Sequence, residues 1–178
     1  MFISVVVPAL DEEKYIGQCL SSLTAQTYPS DLYEIIVVDN GSTDRTSEIA
    51  RRFGVNVVHE PQRGVARARH RGTEEARGEI IAGTDADALA PPIWVEEIAR
   101  TFRSDEALGA VTGPILFRDG SSFDRWSARY VCNWATMLSY TLGRGVVSGN
   151  NFAVRTSEYW RVGGFNTCLL YTSDAADE

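Results

Sequence analysis

Two kinds of apolar pattern alternate along this chain. Short runs dense in β-branched residues occur at ISVVVP (Ile3 to Pro8), YEIIVVD (Tyr33 to Asp39), VNVVH (Val55 to His59), EIIAGT (Glu79 to Thr84) and LGAVTGPILF (Leu108 to Phe117). The first two are almost continuously apolar, as strands of a parallel sheet are when both faces are covered. Between the runs lie segments of helical period. Tyr15, Ile16, Cys19, Leu20 and Leu23 fall on one stripe, with Asp11 placed to cap it. Ile49, Ala50 and Phe53 form a second stripe, with Ser42 or Thr43 as its cap. Val65 to Ala76 makes a third helix, and Pro92 opens a fourth at the first-turn position that suits proline. Strand and helix alternating at this spacing predict right-handed βαβ crossovers. The expected fold is therefore α/β, an open, mostly parallel sheet with helices on both faces.

The later part of the chain carries a different pattern. RDGSS (Arg118 to Ser122) reads as a turn, and a long helix follows from Phe123 to Leu142. Phe123, Trp126, Tyr130, Trp134 and Leu138 recur at helical spacing there. Such a stripe builds core, lines an acceptor groove or meets a membrane surface, and its spacing does not separate the three. The closing stretch CLLYTSDAADE, from Cys168, resembles the in-frame translation of a sequencing adapter. The expectation is a partial domain over residues 1–166 and a non-native tail over 167–178.

Composition narrows the class. A chain of 178 residues, 44% hydrophobic and 23% charged, is one globular domain by length. A formal charge of −7 argues against a nucleic-acid partner, which wants a basic face. Lys14 is the single lysine, so the basic residues are almost all arginine, a side chain suited to planar phosphate recognition. Cys19, Cys132 and Cys168 are odd in number and widely spaced, which favours a reducing, cytoplasmic setting without a zinc site. MFISVVVPALDEE turns acidic too early to cross a bilayer and reads as a first strand.

Candidate chemistry gathers where the apolar runs end. PALDEE, DNGSTD and TDADA follow the first, second and fourth runs, and ligands of open α/β sheets bind beyond the carboxyl ends of the strands. Asp85 and Asp87 lie two apart, so in extended chain they face one side. Two facing carboxylates repel, and a Mg²⁺ or Mn²⁺ ion removes the conflict while taking further ligands from phosphate and water. Arg63, Arg67 and Arg71 repeat every four residues and form one solvated stripe, with Arg71 able to pair with Glu75. Arg69 lies about 200° around the helix from Arg67, on the face of Val65 and Gly72 that should meet the sheet.

The order VVVPALDEEKYI, EIIVVDNGSTDRT, QRGVARARHRG, GEIIAGTDADA and SGNNFAVR…VGGFN resembles the GT-A glycosyltransferases, specifically glycosyltransferase family two, from Ile3 to about Asn166. The resemblance implies a nucleotide-diphosphate sugar donor across the strand ends and a Mg²⁺ or Mn²⁺ ion bridging the aspartate motif to the diphosphate. It implies Asp87 as direct ligand, with Asp85 and Ala86 at the nucleotide and Asp85 reaching the ribose or the metal. Pro8, Ala9 and Leu10 would line the base, and Glu12 would lie near the nucleoside unless it only complements a helix dipole. Asp39 would contact base or ribose unless it serves as an Asx-turn residue. Asn40 replaces a frequent second acid, leaving open which side chain meets the base. Arg69 stands where the family places an arginine near the diphosphate, and His70 where it often has Asn. The family inverts at the anomeric carbon with a base beyond the GGF turn, so this stretch would bind donor without transferring. The acceptor, a saccharide, lipid or protein, is not indicated, and the parent protein could meet a membrane surface.

Competing readings are a HAD-type phosphohydrolase using Asp85 and Asp87 and a non-catalytic nucleotide-binding module. The first wants a downstream basic residue and a further acidic pair, which the sequence does not supply in that pattern. A sugar nucleotidyltransferase or a Rossmann dehydrogenase would need a glycine-rich loop after the first strand, and PALDEE has none. A glycoside hydrolase would need two carboxylates flanking the scissile bond, about 5 Å or more apart.

Overall fold

The computed structural model describes residues 1–113 and 151–165. Its strands are β1 (Ile3–Ala9), β2 (Tyr33–Asp39), β3 (Asn56–His59), β4 (Ile80–Thr84), β5 (Ala110–Thr112) and β6 (Asn151–Arg155). Its helices are α1 (Ile16–Thr24), α2 (Thr46–Arg52), α3 (Val65–Glu75), α4 (Trp94–Ser104) and α5 (Thr156–Arg161). The sheet order is β3-β2-β1-β4-β6-β5. The first four strands in that order are parallel, while β6 runs antiparallel to both β4 and β5. The expected mostly parallel α/β sheet is therefore present.

The continuous apolar runs are explained by cover on both faces. Val5, Val6 and Val7 are each at most 1% exposed, although adjacent residues point to opposite faces. Val5, Val7 and Val37 pack with Leu20 of α1, Ala50 of α2 and Ala99 of α4. Val6, Ile36 and Val38 pack with Ala68 of α3 and Tyr159 of α5 on the other face. Helix α3 sits close because Gly72 lacks a side chain: a Cβ there would lie 2.4 Å from Val6 Cγ1 and 2.9 Å from Val38 Cγ2.

Several local expectations are corrected. Asp11 does not cap α1, whose N-cap is Tyr15 with no side-chain bond. Residues before it already turn, so the N–H groups of Tyr15 and Ile16 donate to Glu12 O. Neither Ser42 nor Thr43 caps α2; Asp44 Oδ1 accepts from Thr46 N at 2.8 Å instead. Pro92 precedes the α4 N-cap, Ile93, and its carbonyl accepts from Thr27 N at 2.8 Å. Arg63 precedes α3, and Arg67 and Arg71 are half-buried rather than fully solvated. Arg71 does pair with Glu75, at 2.6 Å. Strand β6 falls within SGNNFAVR, outside the five apolar runs that predict strands. The turn at Arg118, the helix from Phe123, Cys132, Cys168 and the adapter-like tail lie outside the described residues. No helix among the described residues is long and apolar enough to cross a membrane.

Candidate functional site

Strands β1, β2 and β3 progress in one direction from the centre, and β4 is added on the other side of β1. The point where strand order reverses, between β1 and β4, is where open α/β sheets leave a crevice at their carboxyl edge. Parallel register brings Ala9 beside Asp39, and Asp39 beside His59, at that edge. Asp85 leaves β4 at the same edge.

The β1–β4 side holds the aspartate motif. Asp85 to Ala88 close a turn, with Ala88 N donating to Asp85 O at 3.1 Å. The extended geometry expected for Asp85 and Asp87 is thus replaced by a turn, because Ala86 is drawn into the core at 3% exposure. Asp87 is left exposed and Asp85 half-buried. Arg69 projects from the buried face of α3, 8% exposed, and its Nη2 donates to Asp85 Oδ1 at 2.7 Å. The helix-phase expectation for Arg69 is met, and its partner is Asp85. Its Nε is buried without a hydrogen bond among the described residues. Cys19, also missed as a site neighbour, lies beneath the turn with Sγ 3.5 Å from Asp85 O.

Electrostatics mark this corner as overcrowded with negative charge. Burial first, and then the carboxylates of Asp87, Asp44, Asp85 and Asp11, push the Glu12 pKa above its ordinary value. Burial also raises Asp85; the Arg69 guanidinium opposes this, Asp87 adds to it, and the net direction is upward. The Cys19 thiol is pushed up to about 12 by burial and by Asp87, Asp85 and Glu12. Among the described residues no three His, Cys, Asp or Glu side chains are arranged to hold a metal ion alone. Asp85 and Asp87, whose repulsion Arg69 relieves only in part, nevertheless fit a Mg²⁺ or Mn²⁺ ion that draws its remaining ligands from a diphosphate and water.

The β2–β3 side is bonded differently. Asp39, 9% exposed, accepts from Ser42 N at 2.9 Å and from Ser47 Oγ at 2.5 Å. Burial alone would raise its pKa, but these bonds and His59 outweigh it and hold the carboxyl low. No hydrogen bond or ion pair joins Asp39 to Asp85 among the described residues. Pro8 and Ala9 end β1 and are buried, and Ala9 O accepts from Asn40 N at 2.9 Å. Leu10 follows at 38% exposure.

A loop-to-loop clasp, invisible in the sequence, connects the two sides. Asp11 adopts a φ of 54°, and its Oδ1 accepts from Thr43 N at 2.6 Å and Asp44 N at 3.3 Å. In return Ser42 Oγ accepts from Asp11 N, Thr46 Oγ1 from Glu12 N and Asp44 Oδ2 from Glu13 N. Much of LDEE and GSTDRT therefore holds the rim rigid.

Comparison with known proteins agrees with this fold. Glycosyltransferase AglE of Haloferax volcanii is 32% identical across 97% of this chain and 59% of its own length. The probable glycosyltransferase YdaM of Bacillus subtilis is 30% identical across 94% of this chain and 44% of its own. The chain thus spans roughly half the length of the curated relatives it matches. The mannosyltransferase PcManGT from Pyrobaculum calidifontis, solved with GDP-Man and Mn²⁺, superposes with a TM-score of 0.71 at 29% identity, over 94% of this chain and 48% of that one. Glucosyl-3-phosphoglycerate synthase from Mycobacterium tuberculosis, solved with Mn²⁺, UDP and phosphoglyceric acid, gives 0.63 at 28%, over 88% of this chain and 56% of its own. These neighbours share the GT-A sheet. The sequence pattern described as Glycosyl transferase family 2 matches residues 4–163, and the chain belongs to that family.

Proposed function

We propose that these residues form the donor-binding part of a metal-dependent glycosyltransferase that moves a sugar from a nucleotide-diphosphate donor to an acceptor with inversion. The observation that carries the reading is the corner at the β1–β4 switch point. There Arg69 holds Asp85, yet its guanidinium does not offset the burial of Asp85 and the nearby Asp87 carboxylate, and Glu12 is raised beside both aspartates. Asp85 and Asp87 would hold Mg²⁺ or Mn²⁺, which when bound neutralises charge on the departing nucleoside diphosphate. Arg69 keeps Asp85 in place and adds positive charge beneath the diphosphate. The backbone around Ala86 and the apolar surface of Leu10 flank the crevice, with Asp39 at the nucleoside end. The mannosyltransferase solved with GDP-Man and Mn²⁺, and the synthase solved with Mn²⁺ and UDP, support the same assignment by likeness.

No described residue is assigned as the base that activates the acceptor. A cytoplasmic setting is part of the proposal, supported by the free, buried Cys19. The family match leaves the phosphohydrolase reading without support. Calorimetry with UDP and GDP, with Mn²⁺ and then with a chelator, tests the proposal. Binding that needs the metal and is lost in Asp87→Ala is expected; undiminished binding in chelator refutes the metal bridge.

A further inference from the structure

The polar side chains at the ends of β2 and β3 divide unequally between inward and outward bonding. Asn40 is 3% exposed, and its amide is consumed inside the protein. Nδ2 donates to Glu60 O at 3.0 Å and Gln62 O at 2.8 Å, while Oδ1 accepts from Gly64 N at 2.7 Å. A carboxamide has two N–H donors, so none remains for a ligand. Asn40 is therefore a clamp that fixes residues 60–64, the entry to α3 and Arg69. Asp39 is nearly as enclosed, with each oxygen already accepting one protein donor.

His59 is the exception. It stands in register with Asp39 on the neighbouring parallel strand, and so shares its sheet face. Its Nδ1 lies 3.9 Å from Asp39 Oδ2, beyond hydrogen-bond range, and its side chain is 62% exposed. Among the described residues its ring nitrogens make no hydrogen bond. Resting on the donor-binding reading above, we propose that His59, rather than Asn40, makes the second polar contact to the donor's nucleobase and helps set base preference. The distance suits it: β2 lies two strand spacings from β4, about 10 Å, and β3 about 5 Å further. A nucleoside diphosphate whose phosphates meet the β4 turn reaches the β2–β3 edge with its base. An imidazole can donate, accept and stack, which is what a base edge and face require.

The test is calorimetry on the whole chain with Mn²⁺ and UDP, GDP, CDP or ADP. His59→Ala should change the ratio of dissociation constants between favoured and disfavoured bases by about fivefold or more, the effect of one lost polar contact. Asn40→Ala should weaken all four by a common factor and leave their ratios alone, because it loosens the loop without touching the base. A His59→Ala variant with unchanged ratios, or ratios that shift in Asn40→Ala instead, would overturn the inference while the donor reading stands. If the unaltered chain binds none of the four with Mn²⁺, the donor reading fails and takes this inference with it.

Discussion

Replacing Asp87 by Asn removes one negative charge from the rim of the sheet and keeps the size of the side chain. Without a cation that charge works against the fold. It adds to burial in raising the pKa of both Glu12 and Asp85. A group whose folded pKa stands above its unfolded value contributes stability that is fully present below the unfolded pKa and is lost as pH rises through the folded pKa. Glu12 and Asp85 are both of this kind, so at neutral pH these two groups withhold stability that they contribute in acid. Asn at position 87 lowers both pKa values toward ordinary and recovers part of the loss. Asp87 is exposed and screened, which limits the gain to about 0.5–1 kcal/mol at low salt. Urea unfolding in chelator should find Asp87→Asn more stable than wild type at about pH 7.5, with the difference shrinking toward about pH 4. Adding Mn²⁺ with a nucleoside diphosphate should reverse the order, because only the wild type gains a ligand. A variant no more stable than wild type at neutral pH in chelator would refute the argument that these carboxylates repel.

Three further substitutions probe α3. Arg69→Ala leaves half-buried Asp85 without its partner and should weaken diphosphate binding by roughly tenfold or more, whereas Arg67→Ala, on another helix face, should leave it nearly unchanged; equal losses by calorimetry would contradict the placement of Arg69 beneath the site. Gly72→Ala would gain about 1 kcal/mol from helix propensity but drives a Cβ to 2.4 Å from Val6 Cγ1, so urea unfolding should show a net loss of about 1–2 kcal/mol. A net gain would mean that α3 can lift from β1 at little cost.

What was legible in the sequence follows from the range of the forces involved. The strands were readable because a central parallel strand has no polar face, as Val5, Val6 and Val7 demonstrate. Arg69 was readable because helical phase alone carries it to the sheet. Asp11 was misread as a local cap because a carboxylate accepts from whichever N–H groups the fold delivers, and Thr43 N and Asp44 N arrive from another crossover. Strand β6 was missed because NFAVR is short, mixed in burial and joined antiparallel to β4 across a long separation in sequence.

The deepest part of the site was hidden for a related reason. Asp39, Asp44, Glu12 and Asp85 are all acids at strand ends or in the loops that follow, and nothing local distinguishes them. The fold divides them by supply of donors. Burial acts to raise Asp39 and Asp44 as well, but Ser42 and Ser47 satisfy the first, and Thr46 with the Glu13 N–H satisfies the second, and both pKa values fall. Asp85 receives a single arginine that does not offset its burial, and Glu12 lies among carboxylates, so both rise. Internally satisfied acids have finished their work when the chain folds. Acids left in mutual repulsion at a switch-point crevice persist at a cost in stability, and the proposed cation with its diphosphate would remove that cost.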